Sequence, residues 1–238
     1  MTSSKPTFSS LPGDLSAAEQ DMQASLLAAL STGDGQRWGA TLKFENLRIM
    51  PVALRLAKAL VEAGHDAIAL WPDAGAAALA RRDAPDLVDR IHDFRQWMKS
   101  QTDEPSEQVL LTVMPQPADY DDVLAVCEGH AGPVLMLNGR LEDAAVGIGS
   151  VARERRRGFV ASWQQAYWLE PMEAGALQRC FPDDWRIFRA DPDGYRQIAM
   201  LTNRPDPETL SAVLAGEDPD GLKQQLGNVD RFLDGLRN

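Results

Sequence analysis

With 238 residues, 44% of them hydrophobic and 25% charged, the chain has the make-up of a globular protein long enough for one large α/β domain. Its 24 lysines and arginines stand against 35 aspartates and glutamates, a formal net charge of −11. That acidity repels phosphate backbones and sets nucleic acid aside as a partner. No apolar run approaches the ~20 residues of a membrane-spanning helix, so any membrane contact is expected to be peripheral.

Residues 1–13 are rich in Ser, Thr and Pro and read as a flexible tail, without a signal-peptide apolar region or a typical transit peptide. A single α/β domain is expected over 14–238. Its first helix covers 15–31, with Ser16 as N-cap, Glu19 completing a capping box, and Met22, Leu26, Leu27 and Leu30 on one face. Residues 38–45 alternate and predict a strand, with Trp38, Ala40, Leu42 and Phe44 on one side. A helix over 51–63 follows, with Pro51 early and Gly64 just past its end.

The stretch 66–83, DAIALWPDAGAAALARRD, reads as strand, tight loop and helix. Asp73 suits an N-cap, and Gly75 allows close approach of the backbone. Such a helix start can hold a phosphate. The alternative is a capped helix whose alanines pack on a sheet, because the segment matches neither GxGxxG nor GxxxxGK[ST]. Residues 87–91 predict a short strand or a helix, and 99–107 a polar loop.

The runs 109–114 and 133–137 are unbroken and apolar, as buried parallel strands are, and a helix capped by Asp119 or Asp121 joins them. A mixed, mainly parallel sheet flanked by helices is expected, a three-layer Rossmann-like α/β class. Antiparallel strands are expected in the C-terminal half. The second half of 159–169 predicts a strand, and 185–189 pairs with 195–202 across the turn sequence ADPDG. Two helices, 207–215 and 218–236, close the chain.

Candidate chemistry is sparse. Arg153, Arg155, Arg156 and Arg157 form the basic cluster of an acidic chain, and with Asn138 and Arg140 they can line an anion or partner site at a strand edge. Equally, they can form a solvated face paired with Glu142, Asp143 and Glu154. Arg81 and Arg82 join the candidate site if the fold brings them beside Arg140. His65, His92 and His130 lack metal-ligand spacing, so no metal is expected. Cys127 and Cys180 read as reduced thiols of a cytoplasm-like compartment. No GxSxG motif is present, and no cofactor is expected.

Four segments in order carry a likeness: LWPDAGAAALARRD, PVLMLNGRLED, RERRRGFVASWQQAYWLEPM and GALQRCFPDDWRIF. Together they resemble a domain of unknown function of cyanobacteria and chloroplasts. That family includes the Low PSII Accumulation Three assembly factor of plants, and the domain also occurs fused to a chloroplast adenylate kinase. The resemblance spans about 15–201. It implies a non-catalytic cytoplasmic or stromal factor in photosystem II assembly, peripheral to the thylakoid, whose partners are photosystem II subunits or the membrane-insertion machinery. It supplies no catalytic residue. The other reading is an α/β enzyme binding a nucleotide or phosphometabolite at a strand–loop–helix anion site.

Overall fold

The computed structural model describes residues 10–33, 36–101, 107–145, 154, 155 and 157–216. The expected terminal helix over 218–236 and most of the expected tail lie outside them. Nine strands run across the sheet in the order β3 (Ile91–Asp93), β2 (Ala67–Trp71), β4 (Val109–Val113), β5 (Val134–Leu137), β1 (Arg37–Leu42), β6 (Gln164–Met172), β7 (Gly175–Cys180), β8 (Trp185–Asp191), β9 (Gly194–Leu201). The mixed, mainly parallel sheet flanked by helices is therefore what the chain adopts. The described residues divide into two compact units, the first up to 168 with 180–182, the second 169–179 with those from 183 onward.

The first unit opens with α1, Leu15–Thr32. Asp14, not Ser16, caps it by accepting a hydrogen bond from the Ala17 N–H at 2.8 Å. An ionised carboxylate accepts such a bond more strongly than a hydroxyl, so the cap falls two residues earlier than expected. Glu19 does not close a capping box. It is buried and takes both forks of the Arg55 guanidinium at 2.7 Å each. Arg55 stands on α2, Ile49–Glu62, so this pair ties the two helices together. Met22 and Leu26 are buried as the spacing requires, whereas Leu27 and Leu30 are half-buried.

The parallel strands are β1 Arg37–Leu42, β2 Ala67–Trp71, β3 Ile91–Asp93, β4 Val109–Val113 and β5 Val134–Leu137. All residues of β2, β4 and β5 are buried, on both faces, which is why their sequences are apolar apart from Thr112, whose hydroxyl donates to the Leu135 carbonyl at 3.1 Å. Register fixes which residues share a face. Ile68 pairs with Leu110, and Leu110 with Val134. These point into one cluster with Phe94, Trp97, Val123 and Val126, from α4 (Phe94–Ser100) and α5 (Tyr120–Glu128). The alternate residues Ala69, Leu111, Leu135 and Leu137 are equally buried on the other side.

Sequence alternation in β1 understated its burial. Gly39 is buried between Trp38 and Ala40, and a Cβ there would come within 2.6 Å of the Gln165 side chain. Helix α3, Ala74–Asp83, follows β2, and residues 85–90 form a 3-10 helix leading into β3. Both alternatives for 87–91 are thus partly realised.

Strand β6, Gln164–Met172, carries the chain into the second unit. There β7 Gly175–Cys180, β8 Trp185–Asp191 and β9 Gly194–Leu201 are antiparallel neighbours, followed by α6, Pro207–Leu214. The expected hairpin is present, turning through Pro192-Asp193 into Gly194 at φ +127°. A bulge interrupts the β8–β9 register at Ile187/Phe188. Ala190 faces Tyr195, Phe188 faces Gln197, and Arg186 faces Met200. Tyr195 and Met200 therefore share one face, although five residues apart. Without the bulge, alternation would place them on opposite faces.

Candidate functional site

Open α/β sheets take ligands where neighbouring strands lead away in opposite directions at their carboxyl ends. Here that place lies between β2, which continues outward to β3, and β4, which continues to β5. The groups predicted near it serve the fold. Asp73 caps α3, its carboxylate accepting from the Ala76 N–H at 2.9 Å. Gly75 sits in the first turn of α3, where a Cβ would lie 3.0 Å from that same carboxylate. Arg81 donates through Nε and Nη2 to the Ile91 carbonyl of β3 at 2.9 and 2.6 Å, and to Gln96 at 2.6 Å. Arg82 pairs with its neighbour Asp83 at 2.9 Å.

Asn138 follows β5 at φ +50°. Its N–H donates to the Ala40 carbonyl at 2.8 Å. Its side-chain carbonyl accepts from the Leu42 N–H at 2.8 Å, and its side-chain amide donates to the Leu42 carbonyl at 2.9 Å. The side chain thus imitates one more residue of the β5–β1 ladder, and both its ends are engaged. Arg140 is exposed and forked onto Asp143, the shorter contact being 2.7 Å.

Of the later arginine cluster, Arg153 and Arg156 lie outside the described residues. Arg157 is exposed. Arg155 lies over the Tyr120 ring, 4.2 Å from its centroid, and donates to Asp121 and the Ala144 carbonyl at 3.3 Å each. The structure brings Arg140 and Arg155 to one short 3-10 helix, Leu141–Ala145, through Asp143 and Ala144. The bonds of Arg81 and Arg82 run elsewhere, to β3, α4 and Asp83.

Around Arg155 lies an open cleft of about 440 Å³ along α5. Tyr120 and Asp121 stand at the start of that helix, Leu124 in its middle and Glu128 at its end. Arg37, Glu154 and Phe159 complete the walls. Arg37 begins β1, lies 5.0 Å from the Phe159 centroid and donates to Ser162 at 2.8 Å. Tyr120 and Phe159 meet edge to face at 5.6 Å. The order is guanidinium, ring, ring, guanidinium. Packing makes this rigid, because both rings belong to the buried cluster under α4 and α5. Burial, partly offset by Arg155, raises the Tyr120 phenol above its usual range. Beneath Arg37, burial pushes the Cys127 thiol up to about 12, so it stays protonated.

A family model described as Domain of unknown function (DUF1995) matches residues 12–212. The chain belongs to this family. No curated protein and no solved structure matches it. The matched span holds both walls of the DUF1995 cleft, from Arg37 to Phe159. Among the described residues no helix is long and apolar enough to cross a membrane, and no three or more His, Cys, Asp or Glu side chains gather where a metal ion could bind.

Arg37, Tyr120, Glu128 and Phe159 escaped sequence reasoning, and Glu154 entered it as a charge partner of the arginines and not as a site residue, because the cleft draws on segments up to 122 residues apart and no spacing encodes it. Its one local signal is an aromatic beside charged residues, in YDD at 120–122 and in RRRGF at 155–159.

Proposed function

We propose that this chain is a non-catalytic auxiliary factor in photosystem II assembly, acting through protein contacts at the thylakoid surface, with the α5 cleft as a contact surface. The observation that carries this reading is the stacking of Arg37 on Phe159 and of Arg155 on Tyr120 in an open cleft. Arginine and tyrosine are among the side chains that most often anchor protein interfaces. Stacking holds both guanidiniums in place before binding, so less side-chain entropy is lost when a partner arrives. The polar groups at the strand ends meanwhile cap helices and extend ladders. The resemblance of the segments around 70–83, 133–143 and 153–188 supports the photosystem setting.

The test uses the tagged full-length chain and a detergent-solubilised thylakoid lysate. The native chain is expected to retain photosystem II subunits or insertion-machinery proteins, and Arg37→Ala/Arg155→Ala several-fold less. Equal retention by both proteins, or retention of neither class, overturns the reading. A thermal-shift screen against nucleotides and sugar phosphates is expected to be blank, since a ligand at 100 times its Kd stabilises by about 2.7 kcal/mol.

A further inference from the structure

The charges of the α5 cleft do not cancel. Asp121 is matched by Arg155 at 3.3 Å. Arg37 has the Ser162 hydroxyl, the Phe159 ring and the Cys127 thiol as neighbours but no carboxylate in its hydrogen bonds. Glu128 and Glu154 line the cleft and are exposed, and their carboxylates take part in no hydrogen bond or ion pair among the described residues. Among the described residues, one positive and two negative groups are thus left facing a common space. The rings of Tyr120 and Phe159 and the Leu124 side chain provide the apolar part of the same lining.

A phosphate, a nucleotide or an anionic lipid surface would reach Arg37 only by bringing its own negative charge beside both glutamates, which is unfavourable. A purely cationic ligand would leave Arg37 unanswered. The complement is a ligand carrying both signs a short distance apart, with an aliphatic stem for the apolar wall. A polypeptide segment supplies all three, because the stem of a lysine or arginine lies along apolar surface while its charged end reaches a carboxylate. The volume, about 440 Å³, lies within the range of ordinary ligand pockets.

We propose that the cleft recognises one short polypeptide segment of a partner in which a lysine or arginine stands close to an aspartate or glutamate. The basic side chain docks at Glu128 and Glu154 and the acidic one at Arg37. This rests on the preceding reading of the cleft as a protein-contact surface and adds the chemistry of what contacts it. The net charge of −11 draws a segment with basic residues towards the chain, and Arg37 then selects those that also carry an acid.

The experiment is selection of random decapeptides displayed on phage against the immobilised full-length chain at physiological salt. Selected sequences are expected to combine a basic with an acidic residue. Their synthetic versions should bind Glu128→Gln/Glu154→Gln about tenfold more weakly, the scale of one lost charge-assisted contact. Selection against that double variant should drop the preference for basic residues, and selection against Arg37→Met the preference for acidic ones. Glu62→Gln, which removes one exposed carboxylate from α2, should change neither. Circular dichroism checks that each variant is folded. Selected peptides without charge preference, or affinities that respond to Glu62→Gln as much as to Glu128→Gln/Glu154→Gln, overturn the proposal, as does failure to select any peptide. If the peptides behave as expected while the thylakoid lysate yields no photosystem protein, the partner chemistry stands and the photosystem assignment falls.

Discussion

Asn138 joins β5 to β1 through its side chain, and its φ of +50° is what turns that side chain towards Leu42. Asn138→Ala removes two hydrogen bonds and leaves a β-carbon in the left-handed region, an expected cost of about 3 kcal/mol in urea unfolding. Asn138→Gly removes the same bonds without the strain and should cost about 1 kcal/mol less. Equal losses would show that the backbone there is unstrained. Arg55→Ala strands the buried Glu19 carboxylate, and about 2 kcal/mol of stability should go with it. Cys127 and Cys180 are both buried, and the Cys127 thiol stays protonated. Neither should react with an aromatic disulfide reagent at neutral pH until the chain is unfolded. Labelling of the native protein within seconds would contradict the packing around Arg37. None of these roles could be read from the residues alone. Asn138 reads equally as a polar strand-end ligand, and only the position of Leu42, 96 residues earlier, decides it.

Elements were legible where burial is two-sided. The runs at 109–113 and 134–137 are apolar except for Thr112, whose hydroxyl donates to the Leu135 carbonyl, because both their faces are covered, and β2 followed the same logic. Leu111→Ala, in the middle of β4, should cost 2 to 5 kcal/mol, roughly the range for a core leucine. Strand β7 was missed because Gln178 and Arg179 break its apolar pattern, although Gln178 is fully buried. Helix α4 was missed because only Phe94 and Trp97 of its seven residues are buried, too few for a helical period to show. The bulge in β9 had no sequence signature either, since GYRQIAML has no glycine or proline inside the strand to mark it. Its effect is to put Tyr195 and Met200, both more than half exposed, on one face. Met200→Lys should therefore leave the melting temperature within a degree or two, because little of the side chain leaves water on folding.

For the molecule as a whole, acid sensitivity should come in two windows. His130 donates through Nε2 to the Gln108 carbonyl at 2.7 Å, and its burial holds its pKa below the usual value. The unfolded chain protonates this group near pH 6.5, before the native one, so stability falls as pH drops below about 6.5. His130→Gln should flatten that part of a melting-temperature profile, and an unchanged slope would remove His130 as its source. Asp66, held by hydrogen bonds from Arg90 and Gln108, has its carboxyl below the ordinary range, so its contribution is present above about pH 4 and lost as pH falls through the lower native value. The α/β class was legible because strand and helix periods alternate along the first half of the chain. The cleft was not, because it exists only once β1, α5 and residues 154–159 are side by side. One feature of the sheet also bears on how copies of the chain can associate. At one end, β3 is three residues long and its Ile91 carbonyl is taken by Arg81. At the other, β9 has eight residues, no neighbour beyond it among the described residues, and a single charge, Arg196, drawn back to Asp191 at 3.1 Å. Growth of the sheet from molecule to molecule needs two receptive ends. Among the described residues the β9 end alone is open in this way, and β9 pairing with β9 would close on itself at two copies rather than propagate.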